Sequence, residues 1–151
     1  MLGPQLGDRW AYRTLTVNYR TPAEIMALAA GVLAEFAPDR QPPESVRATG
    51  EDPWQRTVPA TDLAAQVRKA VEAEGAQLGR GTLAVIAAGR NNTAGLAGLP
   101  VQLHTPVSAK GLEFDVVVIV DPERIRAHNP ADLYVSMTRA TQRLGLLHVE
   151  G

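Results

Sequence analysis

The sequence predicts an α/β layered domain built on a mostly parallel sheet, and three observations carry that expectation. Residues 82–88, 101–105, 115–120 and 143–149 are short runs rich in Val, Ile or Leu, and strands that lack polar alternation are covered on both faces. Segments with apolar residues at helical spacing alternate with strand-like runs, the order of a parallel sheet with helical crossovers. A chain of 151 residues, 45% hydrophobic and 21% charged, suits one domain with a proper core.

Taken in order, residues 12–19 (YRTLTVNY) have the β-branched and aromatic content of a strand. Thr21-Pro22-Ala23-Glu24 then has the form of a capping box with proline at the first helical position. Ile25, Leu28, Ala29, Val32 and Phe36 recur at helical spacing, so the spacing predicts a helix to about Ala37. Residues 38–59 shift to proline, charge and glycine, with short strands predicted at 45–49 and 54–58. Thr61 is placed to cap a second helix whose buried face is Leu63, Val67, Ala70 and Val71, stopped by Gly75 or Gly79. After the four apolar strands are assigned, one more helix is expected from about Pro130 to Ala140, capped by Asn129 with Asp132 in its first turn.

Composition excludes several classes of function. A formal net charge of −1 provides no overall basic field, so any contact with a polyanion must be local. There are no cysteines, and His104, His128 and His148 show no ligand spacing, so no metal held by protein alone is expected. No run approaches the roughly 20 apolar residues of a membrane span, and the N-terminus has no basic-then-apolar signal pattern. A cytoplasmic protein without membrane contact is the expectation.

The polar groups that could carry chemistry cluster around strand ends, where an open parallel sheet gathers its ligands. Arg20 sits at a strand-to-helix junction, and its planar fork suits phosphate; on residue chemistry alone, a surface arginine pairing with Glu24 or simply solvated is the more common case. In Ser108-Ala109-Lys110-Gly111-Leu112-Glu113, Gly111 can adopt a backbone closed to other residues, and Glu113 can accept from ribose hydroxyls. A C-cap glycine followed by solvated charges fits the same letters. Arg139 can likewise be a cation completing a helix dipole.

These segments resemble, in order and nearly letter by letter, the C-terminal motifs of UvrD/Rep-type superfamily 1 DNA helicases. NYRTPAEI (18–25) is similar to motif IV, AKGLEFD (109–115) to motif V and YVSMTRAT (134–141) to motif VI. The resemblance spans residues 15–148 and implies a three-layer RecA-like domain of the P-loop NTPase type, with helices on both faces, as the second domain of the motor. It implies that Arg20 and Arg139 are arginine fingers reaching the γ-phosphate of ATP bound on an N-terminal RecA-like partner domain. Lys110, Gly111 and Glu113 would lie by the nucleotide, with Glu113 on the ribose, and Thr105 and Ser108 would contact single-stranded DNA.

The chain departs from the UvrD and Rep pattern in two places. A histidine usually stands two residues after the DNA-contacting threonine, where this chain has Val107, which leaves His104 as a strand-end histidine. The connection after residue 88 is too short for the regulatory subdomain of UvrD. Both features fit the helicase IV-like branch, some of whose members act on RNA polymerase. No G-x-x-x-x-G-K-[ST] segment is present, so ATP with Mg2+ is expected to be held mainly by the N-terminal domain, and this domain alone is expected to be inactive. A non-catalytic module docking on RNA polymerase is the alternative, and a free-standing flavodoxin-like ligand protein a third.

Overall fold

The computed structural model describes residues 17–18, 21–40, 44–45, 47–88 and 101–150. In chain order the strands are β1 (Val17–Asn18), β2 (Glu44–Ser45), β3 (Trp54–Pro59), β4 (Leu83–Ala87), β5 (Gln102–His104), β6 (Phe114–Val120) and β7 (Ala140–Glu150). The helices are α1 (Ala23–Phe36), α2 (Leu63–Leu78), α3 (Pro122–His128) and α4 (Pro130–Met137). Five strands form one sheet in the order β3-β7-β6-β4-β5, every neighbouring pair parallel. The α/β expectation holds.

Two apolar clusters show how the sheet is covered. In β4, Leu83, Val85 and Ala87 face one side with Val116, Val118 and Val120 of β6, packed on Leu63, Val67, Ala70 and Val71 of α2. Ala84 and Ile86 face the other side with Val117, Ile119, Leu144 and Leu146, under Ile25, Ala29 and Val32 of α1, Ile125 of α3, and Leu133 and Met137 of α4. All five residues of β4 are buried. Uniformly apolar strands are therefore central, sandwiched strands, and each fully buried Val, Leu or Ile contributes ~1.5–3 kcal/mol. Along β6 and β7 the register shifts between Phe114 and Val116, so that two steps on β6 match three on β7.

Several local expectations are corrected. Thr21 and Glu24 do not form a capping box: Pro22 stands at the cap with no side-chain hydrogen bond. The Thr21 hydroxyl instead donates to the Thr138 carbonyl at 3.4 Å, and the Glu24 carboxylate accepts from the Thr49 and Gly50 N–H groups at 3.1 and 2.7 Å. Donors and acceptors from elsewhere in the chain displaced the local pairing. The buried stripe of α1 also rotates: Met26 and Leu33 are covered, whereas Phe36 is exposed and meets Tyr134 edge-on at 6.0 Å.

Thr61 lies inside a 3₁₀ turn, Ala60–Asp62, rather than capping α2, while Gly79 ends that helix at φ 72°. The buried face of α2 is the expected one, with Glu74 added. Helix α3 has no counterpart in the sequence-based expectation; Pro122 at its first turn starts it immediately after β6. Asn129 caps α4 as expected, its side chain accepting from Ala131 N–H at 3.0 Å. That helix stops at Met137, because β7 begins at Ala140. The strand expected at 12–19 is described only at β1, which pairs in parallel with β2 as a separate two-stranded sheet.

Candidate functional site

The geometry of the sheet sorts the sequence-predicted site residues onto two rims. Glu113 immediately precedes β6 and Arg139 immediately precedes β7, so both stand at the amino ends of parallel strands. The expectation that these polar groups collect at carboxyl ends is corrected for this pair. A carboxyl-end crevice is where a sheet holds a ligand of its own, and Glu113 and Arg139 face away from that edge. Thr105 and Ser108, in contrast, follow the carboxyl end of β5. Because β5 and β6 run the same way, the connection 105–113 must travel from one rim to the other.

The local turns along that connection explain its residues. Thr105 and Ser108 hold each other: Thr105 N–H donates to Ser108 Oγ at 2.9 Å and Ser108 N–H to Thr105 Oγ1 at 3.2 Å. His104 ends β5 with Nδ1 2.9 Å from Ser108 Oγ and its ring tilted on Phe114, the strand-end role expected of it. Ala109 is fully buried and anchors the middle of the segment. Gly111 then turns the chain at φ 79°, a backbone that side chains strain to adopt, leaving Lys110, Gly111 and Glu113 exposed.

Arg139 is held from two elements. Its Nε donates to the Val135 carbonyl at 3.0 Å, while Nη1 reaches the Leu112 carbonyl at 3.4 Å and Nη2 the Thr138 hydroxyl at 3.3 Å. Its own carbonyl accepts from Phe114 N–H at 2.9 Å, which ties the segments 109–115 and 134–141 together. The inner nitrogen is thus firmly fixed and the outer two are weakly engaged, leaving donors for an incoming anion. Partial burial lowers the Arg139 pKa, against the opposing fields of Glu113 and Tyr134. Burial conversely raises the Tyr134 phenol, against the pull of Arg40 and Arg139.

Arg20 lies outside the described residues. Its neighbour Thr21 is buried and hydrogen-bonded to Thr138, the neighbour of Arg139. Sequence reasoning missed Thr21, Tyr134 and Arg40 as members of this neighbourhood. Thr21 and Tyr134 lay within quoted motifs, Thr21 read there as a helix cap, but nothing local marked Arg40. Trp54 is a core plug rather than an exposed ring: it packs on the α2 cluster and donates Nε1–H to Glu74 at 2.7 Å.

Electrostatically, then, the described residues of the amino rim include the half-buried Arg139 guanidinium, the exposed Glu113 carboxylate and Gly111 with free space above it. An arginine with two outer donors fits a phosphate, and a carboxylate beside it fits ribose hydroxyls. Comparison with known proteins bears on the same segments. The family model of the UvrD-like helicase C-terminal domain matches residues 105–147. Among solved structures, the C-terminal domain of a possible DNA helicase from Lactobacillus plantarum WCFS1 aligns over 88% of this chain and 88% of its own, at 23% identity and a TM-score of 0.68.

The PRRSV helicase aligns over 89% of this chain and 23% of its own, at 17% identity and a TM-score of 0.49. The arterivirus nonstructural protein 10 helicase, solved with DNA, aligns over 88% and 25%, at 21% identity and 0.48. This chain spans about a quarter of those viral proteins. No curated protein matches it. Over residues 105–147 the chain matches the family model of the UvrD-like helicase C-terminal domain, and its fold is similar to that of the C-terminal domain of a possible DNA helicase.

Proposed function

We propose that the chain is one half of an ATP-driven translocase on single-stranded DNA, completed by a second RecA-like domain that carries the phosphate-binding loop. The observation that carries this reading is the junction of three distant segments at the amino rim: Thr21 bonded to Thr138, and Arg139 bonded to Leu112 and Phe114. Arg139, with Arg20 one residue from Thr21, would reach the γ-phosphate of ATP on the facing domain. Glu113 would hold the ribose, and Lys110 and Gly111 would border the nucleotide. ATP with Mg2+ supplies the transferring phosphoryl group and its charge neutralisation when bound.

The contribution of this chain is electrostatic and positional. Charge spreads over the phosphoryl oxygens as the bond to the leaving group lengthens, and a fixed guanidinium neutralises it at no cost in reorganisation. Such fingers are worth ~10³–10⁵ in turnover. The Nε–Val135 bond fixes the plane of Arg139 before nucleotide arrives, so closure of the two domains would complete the site and opening would release it. Thr105 and Ser108, on the opposite rim, would follow the nucleic-acid backbone, keeping the tracked strand clear of the nucleotide cleft.

The test is Arg139→Ala in the intact protein. Steady-state turnover should fall by at least ~10³-fold, while nucleotide affinity measured by fluorescent-nucleotide titration stays within a few fold. Normal turnover with a large loss of affinity contradicts the role.

A further inference from the structure

A pocket of about 410 Å³ opens at the carboxyl rim of the sheet, lined among others by Thr105, Val107, Arg124, Ile125, His128 and Asp132. Its volume lies in the range of small-molecule sites, and its lining has the usual form of an apolar surface with a few converging polar groups. From its position and chemistry we infer that it receives one nucleotide unit of the single strand, with Arg124 and His128 as the phosphate-binding side chains. The inference rests on the reading of the chain as a translocase domain and adds to it the residues that recognise the strand.

The charges of α3 point to an anion. Arg126 and Arg124 lie on the same short helix, yet their surroundings differ. Arg126 is neutralised, with Nη1 2.7 Å from Glu123 and Nε 3.2 Å from Glu35. Arg124 is exposed and makes no ion pair among the described residues. His128 follows it by four residues, which puts the two side chains on one face of the helix, and both line the pocket. A guanidinium and an imidazole N–H offered to one opening are complementary to a phosphodiester oxygen.

Thr105 joins them without rearrangement. Its Oγ1 accepts from Ser108 N–H, so the hydroxyl proton remains available to a phosphate. The apolar part of the lining accounts for the rest of a nucleotide. Val107 is 66% exposed at the pocket edge, beside Pro106 and above the buried Ile125, and offers a surface on which a sugar or base face can lie. Asp132 stands on α4 and lines the same pocket as Arg124 and His128; it repels a phosphate on that side and accepts from a base N–H. The pocket therefore orients its guest, with phosphate toward α3 and base edge toward α4. This places a cation for strand binding, Arg124, within a chain of net charge −1, where a general basic field is lacking.

The experiment measures binding of a fluorescent oligo(dT) by the intact protein as a function of salt, for the wild type, Arg124→Ala and Arg126→Ala. Each phosphate neutralised on a single strand contributes about −0.7 to the slope of log K against log salt. Arg124→Ala should reduce the slope by about that amount and weaken binding roughly tenfold. Arg126→Ala removes an equal charge from the same helix and should leave the slope unchanged. His128→Ala should act in the direction of Arg124→Ala.

Equal effects of Arg124→Ala and Arg126→Ala would show a diffuse charge effect and overturn the pocket assignment. If the wild type binds with an unaltered slope in Arg124→Ala, the assignment fails while the translocase reading stands. If the wild type binds no single strand at any salt, both fail.

Discussion

Replacing Gly145 with alanine should destabilise the domain far more than its conservative appearance suggests. Gly145 lies within β7, in register with Val118 of β6 and Trp54 of β3. A methyl group added there would lie far inside van der Waals contact with the six-membered ring of Trp54. The indole is not free to retreat: its Nε1 donates to Glu74 at 2.7 Å, the other Glu74 oxygen pairs with Arg143, and Arg143 donates to Gln77 at 2.6 Å. Overpacking costs ~1–3 kcal/mol, and breaking a hydrogen bond to a buried charged acceptor adds ~1.5–3 kcal/mol.

The total is about 2.5–6 kcal/mol, and a domain of this size loses roughly 2–4 °C of Tm per kcal/mol. Thermal unfolding followed by circular dichroism should therefore show a drop of at least about 5 °C. The same substitution in a Trp54→Ala background should be nearly neutral, since the ring it strikes is gone. A Tm change below about 2 °C in the native background, or equal losses in both backgrounds, would refute the reasoning.

Three further substitutions probe the candidate site and its support. Gly111→Ala meets no atom within 4 Å, so its cost is only the left-handed backbone at φ 79°, ~1–2 kcal/mol; a Tm loss as large as that of Gly145→Ala would contradict this. Glu24→Gln tests a pH-linked contact. Hydrogen bonds from the backbone N–H groups of Glu24 itself, Thr49 and Gly50 hold the Glu24 carboxyl below its ordinary 4.5. A depressed folded pKa contributes stability that is present above the unfolded value and lost as pH falls through the folded one. The acid limb of urea midpoint against pH should thus become shallower in the variant, and an unchanged limb below pH 4.5 would count against the contact. For Glu113→Ala in the intact protein, KM for ATP should rise about tenfold with kcat little altered, and discrimination between ATP and its 2′,3′-dideoxy analogue should disappear; persistent discrimination would remove Glu113 from the ribose.

Much of the architecture was legible from local pattern. The apolar runs at β4 and β6 could only be covered strands, and the spacing of Leu63, Val67, Ala70 and Val71 described the buried face of α2. Gly111 was legible as a turn because its residue type alone tolerates the φ it adopts. The motif segments around Glu113 and Arg139 were likewise marked by their letters, although what brings them to one rim is the start of two adjacent parallel strands.

Tertiary structure decided the rest. Thr21 and Glu24 carried the letters of a capping box, yet their partners are Thr138, 117 residues away, and the turn at Thr49 and Gly50. Phe36 fitted the helical period, but the surface opposite α1 covers Leu33 and leaves Phe36 to Tyr134. Local periodicity reports which face avoids water; hydrogen-bond partners and the choice of rim follow from strand direction and from side chains that meet only after the sheet has assembled.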